Sequence, residues 1–337
     1  MKIGNLYNLH SFERLTASGQ QQSFVDHCAQ AVLASMPGFT DAYAGTVLAR
    51  NLTAVDPTIF EKKYPELSFV GSGIAADNSG GAARRIQSLR VRETGGFSTA
   101  GDVSGNKGKI SLAGEDSTIK VVIRESHSEW SDTEIAEAAM QNINLVSRYI
   151  TAHNAIYMRE IDEIGYLGVP DKAAITGLLN YAGFASVAAT GAIAGLTAQQ
   201  MYDDISDLII AQHNAVNNTP EYMATKVDMP IYVLNRLTKT ILNTAAGPAS
   251  VLNALKANHA GVDFRGTFRA DNAGGTGVSH TVAYNPNAEA MKMRIPQPLT
   301  VGEIIKTSSF DFRVDSKYRI AGLDVLEDSA GYILTGL

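Results

Sequence analysis

The sequence predicts an α+β fold that is organised around one long helix. Three observations support this prediction. A capping box and a long apolar stripe occupy residues 131–165, a glycine-rich segment with alternating apolar residues occupies 68–118, and helical and strand patterns alternate between 197 and 300. The chain has 337 residues, which is enough for two or three subdomains with a substantial buried core.

Composition and charge argue against several classes of protein. The formal net charge is −6, whereas a protein that grips nucleic acid through its phosphates is usually basic. Cys28 is the only cysteine, which excludes an intrachain disulfide and a cysteine-based metal site. The N-terminal residues lack a signal-peptide core, and no run of about 18 apolar residues occurs. We therefore expect a soluble protein with no membrane segment.

Residues 1–67 are predicted to form an N-terminal arm. Apolar side chains recur in steps of four at Phe24, Cys28, Val32 and Met36, which is the spacing of an amphipathic helix. Cys28 lies on this stripe, so we interpret it as a small hydrophobic residue rather than a nucleophile. The segment carries little core of its own.

Residues 68–118 are predicted to form a protruding two-stranded β-hairpin. The stretch from Gly71 to Asp116 contains ten glycines, and an unstructured loop of this length would be unusual in a compact domain. The strands are expected near 85–93 and 107–112. Because an isolated hairpin is only marginally stable, its natural partner is a neighbouring molecule.

Basic residues on this hairpin are the main charge feature of the chain. Two interpretations stay open: a solvated face, or docking onto an acidic patch of a neighbouring subunit, where guanidinium groups pair with carboxylates. The candidate inter-subunit contact residues are Arg84, Arg85, Arg90, Arg92, Lys107 and Lys109.

A spine helix is predicted over residues 131–165. Ser131 to Glu134 form a capping box, and apolar residues follow in steps of three and four as far as Ile164. At about 1.5 Å per residue, this helix would be a rod of roughly 50 Å. His153 lies on the apolar stripe, where we interpret it as a packed or interface histidine rather than a metal ligand.

The rest of the chain is predicted to form an α/β subdomain followed by return strands. Thr197 and Gln200 form a second capping box. The predicted elements are strands at 228–234, 262–268 and 280–284 and a helix at 248–259. The glycine loop from Asp271 to Gly277 is a candidate contact loop, with Asp271 and Asn272 as candidate residues. Residues 301–337 alternate as strands and are expected to return to the sheet beside the spine helix.

No catalytic, cofactor or metal site is predicted. Gly71 to Ala76 matches a dinucleotide-binding fingerprint, but the glycines that follow interrupt the helix that such a site requires. The segment Gly105–Lys109 lacks the Ser or Thr that follows the lysine of a phosphate-binding loop. The histidines show no metal-ligand spacing. We therefore expect no enzyme and no cofactor.

Local sequence and element order together indicate a family. Three stretches are informative. The first is Ile161 to Asn180, which contains Ile-Asp-Glu-Ile-Gly-Tyr-Leu-Gly and Gly-Leu-Leu-Asn. The second is Met229-Pro230-Ile231-Tyr232-Val233-Leu234, and the third is His280-Thr281-Val282-Ala283-Tyr284 followed by Met293-Arg294-Ile295-Pro296. The chain resembles tailed-bacteriophage major capsid proteins of the Hong-Kong-97-type fold, which encapsulin shells also use. The resemblance covers nearly the whole chain.

The resemblance implies a division into named domains. These are an N-terminal arm at 1–67, an extended hairpin or E-loop at 68–118, a P-domain at 119–196 with the spine helix at 131–165, an A-domain at 197–300, and return strands of the P-domain at 301–337. The loop Asp271–Gly277 would then be a candidate tip of the A-domain.

The resemblance also implies a function and partners. Copies would form hexamers and pentamers of an icosahedral shell around double-stranded DNA, without sequence-specific binding and without a membrane. Portal, scaffold and decoration proteins are the implied partners, and the implied location is the virion, after assembly in the host cytoplasm.

Some relatives cross-link an E-loop lysine, but no partner asparagine is identifiable here, so no cross-link is predicted. Two alternatives stay open: an encapsulin-type nanocompartment shell and a soluble α/β enzyme.

Overall fold

The computed structural model of the chain describes residues 64–65, 67–98, 108–140, 143–169, 175–244 and 247–337. The chain divides into one unit of residues 1–63 and a second unit of residues 64–337, and every described element belongs to the second unit. The predicted helix around Cys28 and the side chain of Lys107 therefore lie outside the described residues.

The described elements alternate in type along the chain. The strands are β1 Ala75–Asp77, β2 Arg85–Gly95, β3 Ile110–Lys120, β4 Val122–Ser131, β5 Ala185–Ala188, β6 Lys226–Pro230, β7 Ile241–Thr244, β8 Gly247–Ser250, β9 Asp263–Thr267, β10 His280–Tyr284, β11 Met291–Arg294, β12 Gln297–Lys306, β13 Asp311–Ile320, β14 Gly322–Val325 and β15 Gly331–Thr335. The helices are α1 Asp132–Met140, α2 Leu145–Leu167, α3 Ala198–Ala215, α4 Ile231–Lys239 and α5 Val251–Asn258. Within the described ranges, no helix is both long and apolar enough to cross a membrane.

A five-stranded sheet with the order β5-β15-β10-β6-β9 separates two hydrophobic cores. Because side chains alternate across a strand, Val282 and Tyr284 of β10 enter the core that contains helix α2, whereas Ala283 enters the core that contains α3, α4 and α5. Both faces of this sheet are therefore buried.

The spine helix is interrupted, which corrects the prediction of one helix over residues 131–165. Its predicted capping box is present, because the Glu134 N–H donates to Ser131 Oγ at 3.2 Å and the Ser131 N–H donates to Glu134 Oε2 at 3.0 Å. A second cap follows at Asn144, whose side chain accepts a hydrogen bond from the Ser147 N–H at 3.1 Å. An N-cap asparagine accepts hydrogen bonds from the free N–H groups of a helix's first turn, so it marks the start of a helix. Helices α1 and α2 are therefore separate.

Helix α2 packs on a three-stranded sheet with the order β12-β13-β4. Strand β13 pairs with β4 from Asp311 opposite Ser131 to Ile320 opposite Val122. This pairing agrees with the expectation that residues after 301 return beside the spine helix. Strand β15 differs from that expectation, because it pairs with β10 and β5 in the five-stranded sheet.

His153 is the packed histidine that the apolar stripe predicted. It is buried between α2 and the three-stranded sheet. Its ring nitrogens are surrounded by three hydroxyls: Nδ1 is 2.8 Å from Ser316 Oγ and 3.2 Å from Ser126 Oγ, and Nε2 is 2.9 Å from Ser128 Oγ. Both nitrogens therefore have partners, as a buried imidazole requires.

Two predicted elements of the α/β subdomain have different boundaries. The predicted strand 228–234 ends at Pro230, where α4 begins, because Val233 and Leu237 lie one helical turn apart and both are buried. The predicted helix 248–259 begins only at Val251, because Ser250 caps it by accepting a hydrogen bond from the Asn253 N–H at 3.3 Å.

Candidate subunit-contact site

The hairpin β2–β3 has two chemically different faces. Its strands pair without interruption from Arg85 opposite Lys120 to Gly95 opposite Ile110. Because directly opposed residues share a face, the alternate positions separate into two sets. The inner face carries Ile86, Ser88, Arg90, Arg92 and Thr94 from β2. The outer face carries the apolar residues Leu89, Val91, Ile110 and Leu112, together with the polar residues Gln87, Glu93 and Asp116.

The inner face is attached to the chain's own body through β14 and the turn that follows it. Arg90 Nη2 donates a hydrogen bond to the Val325 carbonyl at 2.7 Å. Ser88 Oγ donates to Asp324 Oδ2 at 2.9 Å. Arg92 Nη2 lies 4.0 Å from a carboxylate oxygen of Glu327. These contacts fix the base of the hairpin.

A buried ion pair lies beneath this attachment. Asp324 is completely buried, and its Oδ2 accepts a hydrogen bond from Arg294 Nε at 2.9 Å. The same guanidinium group contacts the carboxylate of Asp77 and the hydroxyl of Ser88, so one arginine joins β1, β2, β11 and β14. Hydrogen bonds from Ser79, together with the nearby Arg294 charge, lower the pKa of Asp77.

The outer face has no partner in the described part of the chain. Its large apolar side chains are exposed, with relative accessibilities of 67% for Leu89, 58% for Val91, 59% for Ile110 and 70% for Leu112. Near the tip, Phe97 is 95% exposed. Contiguous exposed apolar residues of this kind mark interaction surfaces in soluble proteins.

The predicted basic contact residues do not act as one cluster. Arg90 and Arg92 lie on the inner face and contact their own chain, whereas Arg84 and Arg85 are exposed at the base of the hairpin. Lys109 is exposed at the start of β3. The apolar outer face is the surface that the charge pattern did not identify, although the alternation of Leu89 and Val91 in the sequence was its signal.

Asp271 and Asn272 stabilise the loop to which they belong. The Gly277 N–H donates to Asn272 Oδ1 at 2.7 Å, and Ser279 Oγ donates to Asp271 Oδ1 at 3.2 Å. Ala273 of the same loop packs against the core that contains α2. The role of this loop at a subunit contact stays a prediction.

A short segment from Ser68 to Ser72, here called the strap, crosses the edge strand β9. The Ser68 carbonyl accepts a hydrogen bond from Arg265 Nη2 at 2.5 Å, and the Gly71 carbonyl accepts one from Lys226 Nζ at 2.9 Å. The Phe69 N–H donates to the buried Asp162 carboxylate at 2.8 Å. The strap therefore fixes the start of the segment that leads into the hairpin.

A buried tyrosine–aspartate cluster lies next to the strap. Asp228 accepts hydrogen bonds from the hydroxyls of Tyr166 at 2.8 Å and Tyr284 at 3.1 Å. Burial raises the pKa of Asp228 and also raises the pKa of both tyrosines, so the hydroxyls remain donors. Among the described residues, no group of three His, Cys, Asp or Glu side chains could hold a metal ion.

The stability of the subdomain that contains α3 and α5 should decrease in mild acid. Burial and the neighbouring His213 lower the pKa of His259, whose Nε2 lies 2.9 Å from Ser206 Oγ. The folded state favours neutral His259, so its stabilisation is complete above the unfolded pKa of about 6.5 and decreases as the pH falls through that value. We expect urea midpoints at pH 7.5 and 5.5 to differ less in His259→Gln than in the unchanged chain. An equal difference in both proteins would contradict this assignment.

Comparison with known proteins identifies the family. A family model described as "Major capsid protein" matches residues 107–336, which is more than half of the chain. The capsid of Myoviridae phage XM1 is similar to this chain at 41% sequence identity with a TM-score of 0.78, and the match covers 90% of this chain and 100% of that one. No curated protein sequence matches.

More distant structures share the fold. The capsid of a native GTA particle matches with a TM-score of 0.61 at 13% identity, covering 90% of this chain and 98% of that one. A chain from Mycobacterium phage Ogopogo matches with a TM-score of 0.55 at 10% identity, covering 85% of this chain and 96% of that one. These matches confirm the predicted Hong-Kong-97-type fold. The family model and the XM1 capsid confirm the predicted shell-forming function and virion location. The chain therefore belongs to the major capsid protein family, as a shell-forming structural subunit of a bacteriophage virion.

Proposed function

We propose that copies of this chain form hexamers and pentamers of an icosahedral shell that encloses double-stranded DNA. The apolar outer face of the hairpin is the observation that supports a specific contact within this shell. Because the inner face is attached to its own subunit, the exposed Leu89, Val91 and Leu112 are free to pack on the adjacent copy. Burying each such side chain contributes roughly 1.5–3 kcal/mol, and closed symmetry repeats the contact around the shell.

The proposed domain roles follow the resemblance. Residues 1–67 form the arm, 68–118 the E-loop, 119–196 the P-domain, 197–300 the A-domain and 301–337 its return strands, although β5 and β15 join the A-domain sheet. The role is structural and not catalytic. Assembly takes place in the host cytoplasm, with portal, scaffold and decoration proteins as partners. The similarity to phage capsids does not favour a nanocompartment or an enzyme.

Deleting residues 95–108 should leave a folded subunit that cannot close a shell. The deletion joins Thr94 to Lys109, so Lys109 and Ile110 form a two-residue turn between Thr94 and Ser111, which already face each other. The inner-face contacts remain. We expect unchanged circular dichroism but no closed particles in negative-stain micrographs. Normal shells from this deletion would contradict the proposed role of the hairpin tip.

A charge placed among the apolar side chains of the outer face should have a similar effect. In Val91→Asp, a carboxylate would have to be desolvated at an apolar contact, so we expect particle yield to fall at least tenfold. Val91→Thr keeps the shape and adds no charge, which makes it the matched control. Particle mass measured by light scattering reports both variants. Equal yields from the two variants would show that this face remains in solvent in the shell.

A further inference from the structure

The edge of the five-stranded sheet at β5 presents unpaired backbone groups. Strand β5 pairs with β15 on one side and has no strand on the other side in the described part of the chain. The Ala189 N–H donates to the Thr335 carbonyl at 2.8 Å, which places the amides of odd-numbered residues toward β15. The amides of Ser186 and Ala188 therefore point away from the sheet.

Hydrogen bonds within the chain satisfy the outward amides of Phe184 and Thr190, which lie on either side of β5, but not those of Ser186 and Ala188. The Phe184 N–H donates to the Tyr181 carbonyl at 3.2 Å, and the Thr190 N–H donates to Asp204 Oδ2 at 3.1 Å. No acceptor for the amides of Ser186 and Ala188 exists among the described residues. The open part of the edge is thus limited to the four residues of β5.

This edge also lacks the usual protection against pairing with another chain. Proteins usually blunt an exposed edge with charge, proline, a bulge or a cover. The opposite edge, β9, carries Asp263 and Arg265 and is crossed by the strap. By contrast, residues 173–202 include no Asp, Glu, Lys, Arg or His, and β5 consists of Ala-Ser-Val-Ala. Its small side chains allow another backbone to approach closely.

We propose that β5 is extended by a strand of a second copy, namely residues 110–114 of the neighbour's β3. This proposal rests on the proposed function, in which the hairpin reaches the adjacent subunit. The segment Ile-Ser-Leu-Ala-Gly is uncharged and exposed, and its five residues are enough to pair along the four residues of β5. Among the described strands, β3 pairs only with β2, so its other edge also presents backbone groups that no described strand uses.

A cavity beside β5 offers a place for a side chain of the added strand. It has a volume of about 440 Å³, and its lining includes Tyr181, Phe184, Ser186 and Ile333. An apolar side chain such as Leu112 would be buried there. Backbone pairing supplies the affinity and this cavity supplies the specificity, as in other cases of strand addition.

Hydrogen–deuterium exchange on assembled shells and on dissociated subunits tests the proposal directly. We expect the amides of residues 182–190 and of 109–115 to exchange at least tenfold more slowly in shells than in free subunits. Micrographs of the same sample establish whether shells are present, so failure to assemble is distinguished from failure of the pairing. Protection of 182–190 without protection of 109–115 would assign another segment to the edge and overturn the proposal.

A proline at the outward position provides a second test. Ser186→Pro removes an amide that β15 does not use, so the intramolecular ladder can remain, whereas Ser186→Ala keeps the amide. We expect Ser186→Pro to abolish closed shells, or to return residues 109–115 to the exchange rate of the free subunit, with Ser186→Ala unchanged. Normal shells of Ser186→Pro with 109–115 still protected would refute the pairing. Circular dichroism checks the fold, and Ala188→Lys, which adds a charge at the same edge, repeats the test if the proline variant unfolds.

Discussion

Replacing Asp324 with alanine is expected to lower the free energy of unfolding by about 3 kcal/mol, because Arg294 loses its fully buried partner and keeps only the partly exposed Asp77 carboxylate. Ser88 of the hairpin would also lose its acceptor. The substitution should therefore weaken the attachment of β2 as well as the packing of the core. Urea unfolding monitored by circular dichroism gives the change in stability.

An exposed aspartate–arginine pair provides the control for this prediction. Asp315 pairs with Arg313 at 2.6 Å, but the Asp315 side chain is 52% exposed, so water already screens the interaction. Asp315→Ala should cost less than about 1 kcal/mol. If the two variants lose similar amounts of stability, the Asp324–Arg294 pair does not hold the hairpin base as described.

Replacing Gly177 with alanine should cost about 3 kcal/mol, because the added methyl group overlaps the backbone at the end of α2. A Cβ at this position would lie 2.3 Å from the carbonyl carbon of Tyr166. Backbone atoms cannot rotate aside as a flexible side chain can, so either the helix end or the segment around Gly177 must move. The thermal midpoint should fall by several degrees.

Gly195 is the matched position for this second prediction. A Cβ there would meet only the Ala192 carbonyl, at 3.8 Å, and its backbone does not require a positive φ. Gly195→Ala should therefore leave the stability unchanged or raise it slightly, since it restricts the unfolded chain. A loss in Gly195→Ala as large as in Gly177→Ala would mean that close approach is not the cause.

Local signals in the sequence predicted much of the fold because they involve residues only a few positions apart. The capping boxes at Ser131 and Thr197 are both present, since each joins side chains three residues apart. Strand β10 also has its predicted limits at His280 and Tyr284. Asn144 also caps a helix, but the apolar stripe continues past it in the sequence and therefore predicts one unbroken helix.

Contacts between distant residues limited what could be predicted of the site. Arg90 meets Val325 across 235 positions, and no spacing rule relates two such residues. The sequence therefore leaves open whether the arginines contact a neighbouring subunit or solvent, whereas the structure places Arg90 against its own chain. Only the pairing of β2 with β3 and the contacts with β14 show which residues share a face and which face is turned inward.

The interruption of the spine between α1 and α2 has a mechanical consequence. Helix α1 has no buried residue, whereas α2 buries several side chains, so the angle of α1 can change without opening a cavity in the core. An unbroken helix would transmit any tilt along its whole length. In the proposed shell, identical subunits meet their neighbours at different inclinations in pentamers and hexamers. Because no α1 side chain is buried, one sequence can set α1 at either angle at a small energetic cost.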